Sequence, residues 1–137
     1  MTLRERLIED EGLRLKPYRC SEGKLSVGVG RNLEDVGITR EEAMMLLDHD
    51  ITRATNAAAD VVGRDVFGSL KPARQDALIC MAFQMGRAKL EGFNRMLLNV
   101  RAGDWQGAYD NALDSKWARQ TPARANRIAT MLLTGEG

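Results

Sequence analysis

The chain has 137 residues, enough for one compact domain or for two small lobes sharing a helix, and long enough to bury a core without disulfide or metal staples. Twenty Lys and Arg against nineteen Asp and Glu leave a net charge of +1, so the overall field neither requires a polyanionic partner nor excludes one. Cys20 and Cys80 stand in unrelated contexts without CxxC or ligand spacing, which speaks against a disulfide framework or metal site and for two separate thiols made in a reducing compartment.

The N-terminus "MTLRERLIEDE" lacks the apolar stretch of a signal peptide, and no window approaches about 18 consecutive apolar residues, so a soluble protein with no membrane anchor is expected. Thr2 with Glu5 has the form of a capping box, Leu3, Leu7 and Ile8 share one helical face, and Gly12 is a stop signal; a first helix is predicted to end near Glu11. From Leu25 the run Leu-Ser-Val-Gly-Val-Gly alternates with period two, predicting a half-buried strand with Ser26, Gly28 and Gly30 on one face and Leu25, Val27 and Val29 on the other. Thr39 with Glu42 repeats the capping pattern, and Met44, Leu47, Ile51, Ala54 and Ala58 follow at helical spacing, predicting one long helix over about 39–60.

Pro72 suits a first helical turn, and Ala73, Ala77, Leu78, Met81, Ala82 and Met85 trace an apolar face that Gly86 ends, predicting a central core helix. Further helices are predicted over about 93–101, 104–114 and 122–132, the last capped by Thr121 with Pro122 in first position. The fold class is thus α+β and mostly helical, with a small sheet lobe before a helical lobe. A groove between lobes of this kind suits an extended substrate.

One stretch concentrates polar chemistry. Eight residues separate Glu11 from Cys20, and five separate Cys20 from Ser26. Acid, thiol and hydroxyl at this spacing are either incidental decoration of a hairpin or groups converging on a bond to be broken; alone, the pattern is weak.

The segment "DEGLRLKPYRCSEGKLSVGVGR" resembles the N-terminal signature of phage lysozymes (endolysins) of the T-even type, glycoside hydrolase family 24. The resemblance continues through "ALICMAFQMG" at 77–86, "GF" at 92–93, Trp105 and "SKWARQTPARANR" at 115–127, so it covers almost the whole chain. It implies a single two-lobed lysozyme-like domain over 1–137: a small antiparallel sheet lobe with its long helix at 12–60, and a helical lobe at 61–137 onto which helix 1–11 packs. It also implies a muramidase that hydrolyses the β-1,4 bond between N-acetylmuramic acid and N-acetylglucosamine in peptidoglycan.

Glu11 matches the family's general acid, a role that needs a carboxyl still holding its proton near neutral pH. A helix C-terminus favours that form, whereas Arg124, which matches an arginine pairing with this glutamate, opposes it. In the T-even type, an aspartate and a threonine position the attacking water; here Cys20 and Ser26 stand in those places. An ordinary thiol is mostly protonated at pH 7 and is a poor base. Cys20 would activate water, stabilise positive charge on the sugar or attack it directly, the last giving retention and the others inversion; orientation of water with inversion is the favoured expectation. Glu22 is a possible substitute base.

Other matched positions supply support and substrate contact. Arg31 replaces the family's histidine and Asp50 stands where that histidine's carboxylate partner is found, implying an ion pair with Arg as donor, and Asp10 with Arg127 implies a second tie worth about 0 to 1 kcal/mol if exposed. Asn32, Phe83, Gln84, Met96 and Asn111 fall on sugar-contacting positions. Trp105 and Trp117 are expected as core anchors, Cys80 as an inert buried thiol and His49 as a helix-surface residue.

No cofactor and no metal are expected, and a monomer is. The implied setting is synthesis in the host cytoplasm, release to the wall in the periplasm by a holin, and host lysis. Two rivals remain: a catalytically impaired peptidoglycan-binding module, suggested by Cys20, and a nucleic-acid binder, suggested by Lys116, Arg119, Arg124 and Arg127 around Trp117.

Overall fold

The computed structural model describes residues Met1–Gly137 and confirms a mostly helical α+β fold with one three-stranded antiparallel sheet. The chain divides into two compact units, Met1–Leu46 and Leu47–Gly137.

The first unit opens with α1 (Leu3–Glu11), whose capping box is complete: Glu5 N–H donates to Thr2 Oγ1 at 3.1 Å and Thr2 N–H donates to Glu5 Oε2 at 2.9 Å. Gly12 ends the helix with φ +80°, and its N–H donates to Ile8 O at 2.8 Å. The helix buries no residue, and Leu3, Leu7 and Ile8 are all exposed.

The sheet runs β1 (Arg14–Arg19), β2 (Leu25–Gly28), β3 (Arg31–Asn32). The first strand carries no clean alternation and contains Pro17. Proline has no N–H to give a ladder, and here it sits on an edge strand where the register shifts between Arg14 and Tyr18. In β2 the one buried residue is Ser26, while Leu25 and Val27 are half-buried and Val29 is exposed.

Thr39 and Glu42 form the second capping box, at 2.9 and 3.0 Å, and start α2 (Arg40–Val62). Glu42 also accepts from Arg31 Nη1 at 2.8 Å. The expected Arg31–Asp50 ion pair is therefore replaced: Arg31 binds Glu42 and Gly37 O, and Asp50 pairs with Arg53 one turn along its own helix. Glu42 wins because the capping box already pins its carboxylate in the first turn of α2.

That arrangement, led by the Arg31 hydrogen bond, holds the Glu42 carboxyl well below its ordinary value of 4.5, at about 2. A carboxyl depressed by folding stabilises the fold above its unfolded value, and that contribution is lost as pH falls through the folded one. Thermal melts of the wild type and Glu42→Gln, which keeps an acceptor for Thr39, are expected to differ at pH 6 and to converge between pH 4.5 and about 2. A constant gap across that range would show that the charge contributes nothing.

The second unit continues α2 and adds α3 (Arg64–Ser69), α4 (Pro72–Met85), α5 (Arg87–Glu91), α6 (Asn94–Ala102), α7 (Trp105–Leu113), α8 (Lys116–Gln120) and α9 (Pro122–Thr134). The long helices match the sequence expectation within two residues at each end. The short helices α3, α5 and α8 were not expected: at five or six residues they span too few turns to show a period.

Leu78, Met81, Leu90, Met96, Val100 and Leu132 fill the core, and fully buried Ala77, Ala108, Ala112, Ala125 and Ala129 let α4, α7 and α9 approach closely. Arg101 on α6 donates to the Val61 and Val62 carbonyls at 2.9 and 3.0 Å, satisfying the open end of α2. Arg74 on α4 does the same for α9, donating to Leu132 O at 2.8 Å and Leu133 O at 3.1 Å, with its guanidinium 3.9 Å above the Trp105 ring.

Three expectations need correction in this unit. Thr121 does not cap α9 with its side chain; its hydroxyl donates instead to Trp117 O of the preceding short helix. Cys80 is half-buried rather than buried. Trp105 is half-buried beneath Arg74, whereas Trp117 is a core anchor, packed edge-on against Phe93 at 6.1 Å.

Candidate active site

Glu11 is the last residue of α1, and its carboxylate is exposed. Its side chain lies against the backbone of Gly30: a Cβ built on Gly30 would stand 2.9 Å from Glu11 Oε2 and 3.3 Å from its Cβ and Cδ. Gly30 has φ +65°, so the residue is favoured here both by backbone conformation and by lack of space. Gly30→Ala should cost about 1–2 kcal/mol for the left-handed conformation and push the Glu11 carboxyl aside. Displacement on the order of 1 Å is enough for about 100-fold lower hydrolysis. Denaturant unfolding and initial rates on purified cell walls would read both, and wild-type rates in Gly30→Ala would show that this contact does not position Glu11.

Cys20 opens the turn between β1 and β2. Its N–H donates to Lys24 O and its carbonyl accepts from Gly23 N–H, both at 2.9 Å, and its free thiol is half-buried. Ser26 pairs directly with Tyr18 on one side and with Asn32 on the other. Since side chains alternate with period two, Tyr18, Cys20, Ser26 and Asn32 share one face of the sheet. Thiol and hydroxyl are thus placed on the same side of the hairpin. Glu22 is exposed in the turn.

The hydrogen bonds refine what each group can do. Ser26 is only 2% exposed and its hydroxyl donates to Lys24 O at 3.3 Å, which leaves its oxygen lone pairs as the groups free to accept. The Asn32 side-chain carbonyl accepts from the N–H groups of Glu34 and Asp35 at 3.0 Å, and its amide donates to Asp35 Oδ2 at 3.0 Å. These bonds tie the Asn32 side chain into the turn that follows β3. Tyr18, under the Arg14 guanidinium at 4.5 Å, is a site-face residue the sequence reading missed; recognising β1 and its register would have found it.

In the second unit, Gln84, Met96 and Asn111 line one open pocket of about 790 Å3. Met96 is 1% exposed and packs in the core beneath that pocket. Gln84 Oε1 accepts from Trp117 Nε1 at 2.9 Å, and Asn111 donates to Asn99 Oδ1 at 2.7 Å. Phe83 is 46% exposed and lines a different pocket, of about 760 Å3, with Asp50 and His49. Arg124 is half-buried on α9, while Arg127 on α9 and Asp10 on α1 are exposed. Beside the basic C-terminal cluster, Trp117 is mostly buried, packed edge-on against Phe93 and donating to Gln84.

The phage lysozyme family model matches residues 8–130. The chain belongs to the phage lysozyme family. It is 35% identical to the pre-baseplate central spike protein Gp5 of Enterobacteria phage T4 over 98% of its own length, but spans only 28% of that protein. It is 27% identical to the probable T4-type lysozyme 1 of Dictyostelium discoideum, covering 98% of this chain and 95% of the relative. With an endolysin of Acyrthosiphon pisum secondary endosymbiont phage 1 it shares 31% identity over 80% of this chain and 72% of the relative.

These matches make it a lysozyme-type hydrolase. The matched span includes Glu11, Cys20 and Ser26. No helix is long and apolar enough to cross a membrane, and no group of three or more His, Cys, Asp or Glu side chains is placed to hold a metal ion.

Proposed function

We propose that the protein is an endolysin muramidase that cleaves the β-1,4 bond between N-acetylmuramic acid and N-acetylglucosamine in peptidoglycan and so lyses the host cell. The observation that carries this reading is Glu11 at the end of α1, held against Gly30 in a chain of the phage lysozyme family. Glu11 gives its proton to the bridging oxygen. Cys20, with the Ser26 oxygen as acceptor beside it, orients a water for attack on the opposite face of the sugar, and the anomeric configuration inverts. Phe83, Gln84 and Asn111 contribute contacts to the glycan, and Asp10, Arg124 and Arg127 act in support. The enzyme works as a monomer without a cofactor. It is made in the host cytoplasm and meets the wall after a holin opens the membrane.

Purified peptidoglycan digested by the protein, with the first reducing ends followed by NMR, should show inverted anomers. Retained anomers would move Cys20 to the role of nucleophile, and absence of reducing ends would end the muramidase reading. Cys20→Asp should keep or raise the rate, because a carboxylate is a better base at pH 7 than a protonated thiol. A rate loss of about 100-fold in that variant would show instead that the sulfur itself reacts.

The likeness to the spike protein of phage T4 favours a second reading, in which the same hydrolase acts from within a virus particle. Mass spectrometry of purified particles separates the two, since a free endolysin is absent from them. Nothing in the fold favours a binding module that has lost catalysis.

A further inference from the structure

The two arginines that close helix ends in the second unit share a second pocket. Lys71 at the start of α4, Arg74 on α4 and Arg101 on α6 line a cavity of about 440 Å3, and no carboxylate lines it. None of the three enters an ion pair, whereas Arg53, Arg64 and Arg87 of the same unit each hold at least one carboxylate.

Arg74 is the most deeply buried of the three, at 8% exposed, and taking a guanidinium out of water is costly unless a counter-charge meets it. Its Nε and Nη2 are spent on the Leu132 and Leu133 carbonyls and one face on Trp105, but Nη1 has no hydrogen-bond partner. No buried side-chain nitrogen lacks a partner, so this Nη1 reaches solvent. Arg101 repeats the arrangement, with Nε and Nη2 on the Val62 and Val61 carbonyls and Nη1 unused. Lys71 stands close to Arg74: a Cβ built on Gly135 would lie 3.0 Å from Arg74 Cζ and Nη1 and 3.1 Å from Lys71 Cδ, so both side chains flank one point at the end of α9. The first turn of α4 has neither a side-chain cap nor an acidic residue, and its positive end adds to the field. Against this, the carbonyl ends of α9 and α2 each offset about half a charge, which leaves about two positive charges at the pocket.

We propose that this pocket binds a phosphate group, a tetrahedral dianion whose oxygens accept from Arg74 Nη1, Arg101 Nη1 and Lys71 Nζ. A single carboxylate would bring half the charge and too few oxygens for three donors from separate places in the chain. The group arrives as free inorganic phosphate or on an anionic polymer of the cell envelope. The pocket lies on other elements than Glu11, Cys20 and Ser26, and the proposal does not depend on the muramidase reading.

The test is calorimetric titration of the wild-type protein with inorganic phosphate at pH 8 and low ionic strength. Saturable binding is expected, with sulfate competing and chloride at equal ionic strength failing to compete. Lys71 is exposed and its side chain caps nothing, so Lys71→Gln should fold and digest purified peptidoglycan as the wild type does, yet bind phosphate about fivefold more weakly. Lys71→Glu sets its carboxyl carbon where Lys71 Cδ stands, beside Arg74, and this reversal of charge should weaken binding about 25-fold. Absence of saturable binding by the wild type, or unchanged affinity in both variants, overturns the proposal. Titration with poly(glycerol phosphate) separates the two sources, since binding tighter per phosphate than that of the free ion assigns the site to a polymer, and weaker binding assigns it to the ion.

Discussion

Glu11→Gln should reduce hydrolysis of purified peptidoglycan by at least 100-fold and up to about 10,000-fold, the range that general acid catalysis supplies. The amide keeps the shape of the side chain and its contact with Gly30 but has no acidic proton for the leaving oxygen. Glu11 is exposed and takes part in no side-chain hydrogen bond or ion pair, so stability should change by no more than about 0.5 kcal/mol. Activity and folding are therefore separable at this position, and loss of rate with an unchanged melting curve assigns the effect to chemistry. Glu11→Asp retains the proton and retracts it by one methylene; misplacement of that size costs about 100-fold. A folded Glu11→Gln protein clearing cell walls within tenfold of the wild-type rate would remove Glu11 from the acid role.

The largest stability loss outside the apolar core is expected at Arg74. Arg74 is 8% exposed; its guanidinium satisfies two carbonyls at the end of α9 and covers the Trp105 ring, and burial lowers its pKa from the ordinary arginine value. Each hydrogen bond to a charged group contributes about 1.5–3 kcal/mol, and the stack over Trp105 about 1 kcal/mol more. Water recovers some of this at the freed carbonyls, so Arg74→Ala should lose about 3 kcal/mol in urea unfolding. Arg74→Lys, with a point charge in place of the planar fork, should lose about half as much. A loss below about 1 kcal/mol for Arg74→Ala would mean that α9 is held by its buried alanines and Leu132 alone.

Local signals in the chain located the elements that carry the site. Both capping boxes, at Thr2–Glu5 and Thr39–Glu42, formed as read, since each partner is three residues away and no distant group is needed to complete them. Gly12 and Gly86 ended their helices for the same reason. The edge strand β1 escaped notice because its pairing lies with β2 and its own residues do not alternate.

Partner choice was another matter. The family resemblance matched Arg31 with Asp50, yet the guanidinium went to Glu42, a carboxylate already oriented by its cap. Residue type left open the surroundings of Met96 and Asn32, and packing set one in the core beneath a pocket and tied the other into a turn.

Sequence by itself determined the helical and strand framework and the placement of Glu11, Cys20 and Ser26 at the end of a helix and along a hairpin, because capping, stop signals and period-two alternation are short-range. Only the tertiary structure decided that the Ser26 hydroxyl is buried with its proton committed, that Gly30 abuts the Glu11 carboxylate, and that Lys71, Arg74 and Arg101 line one pocket without a carboxylate partner. Those outcomes depend on which distant groups arrive within a few ångströms of one another, and register, burial and competition among partners set that distance.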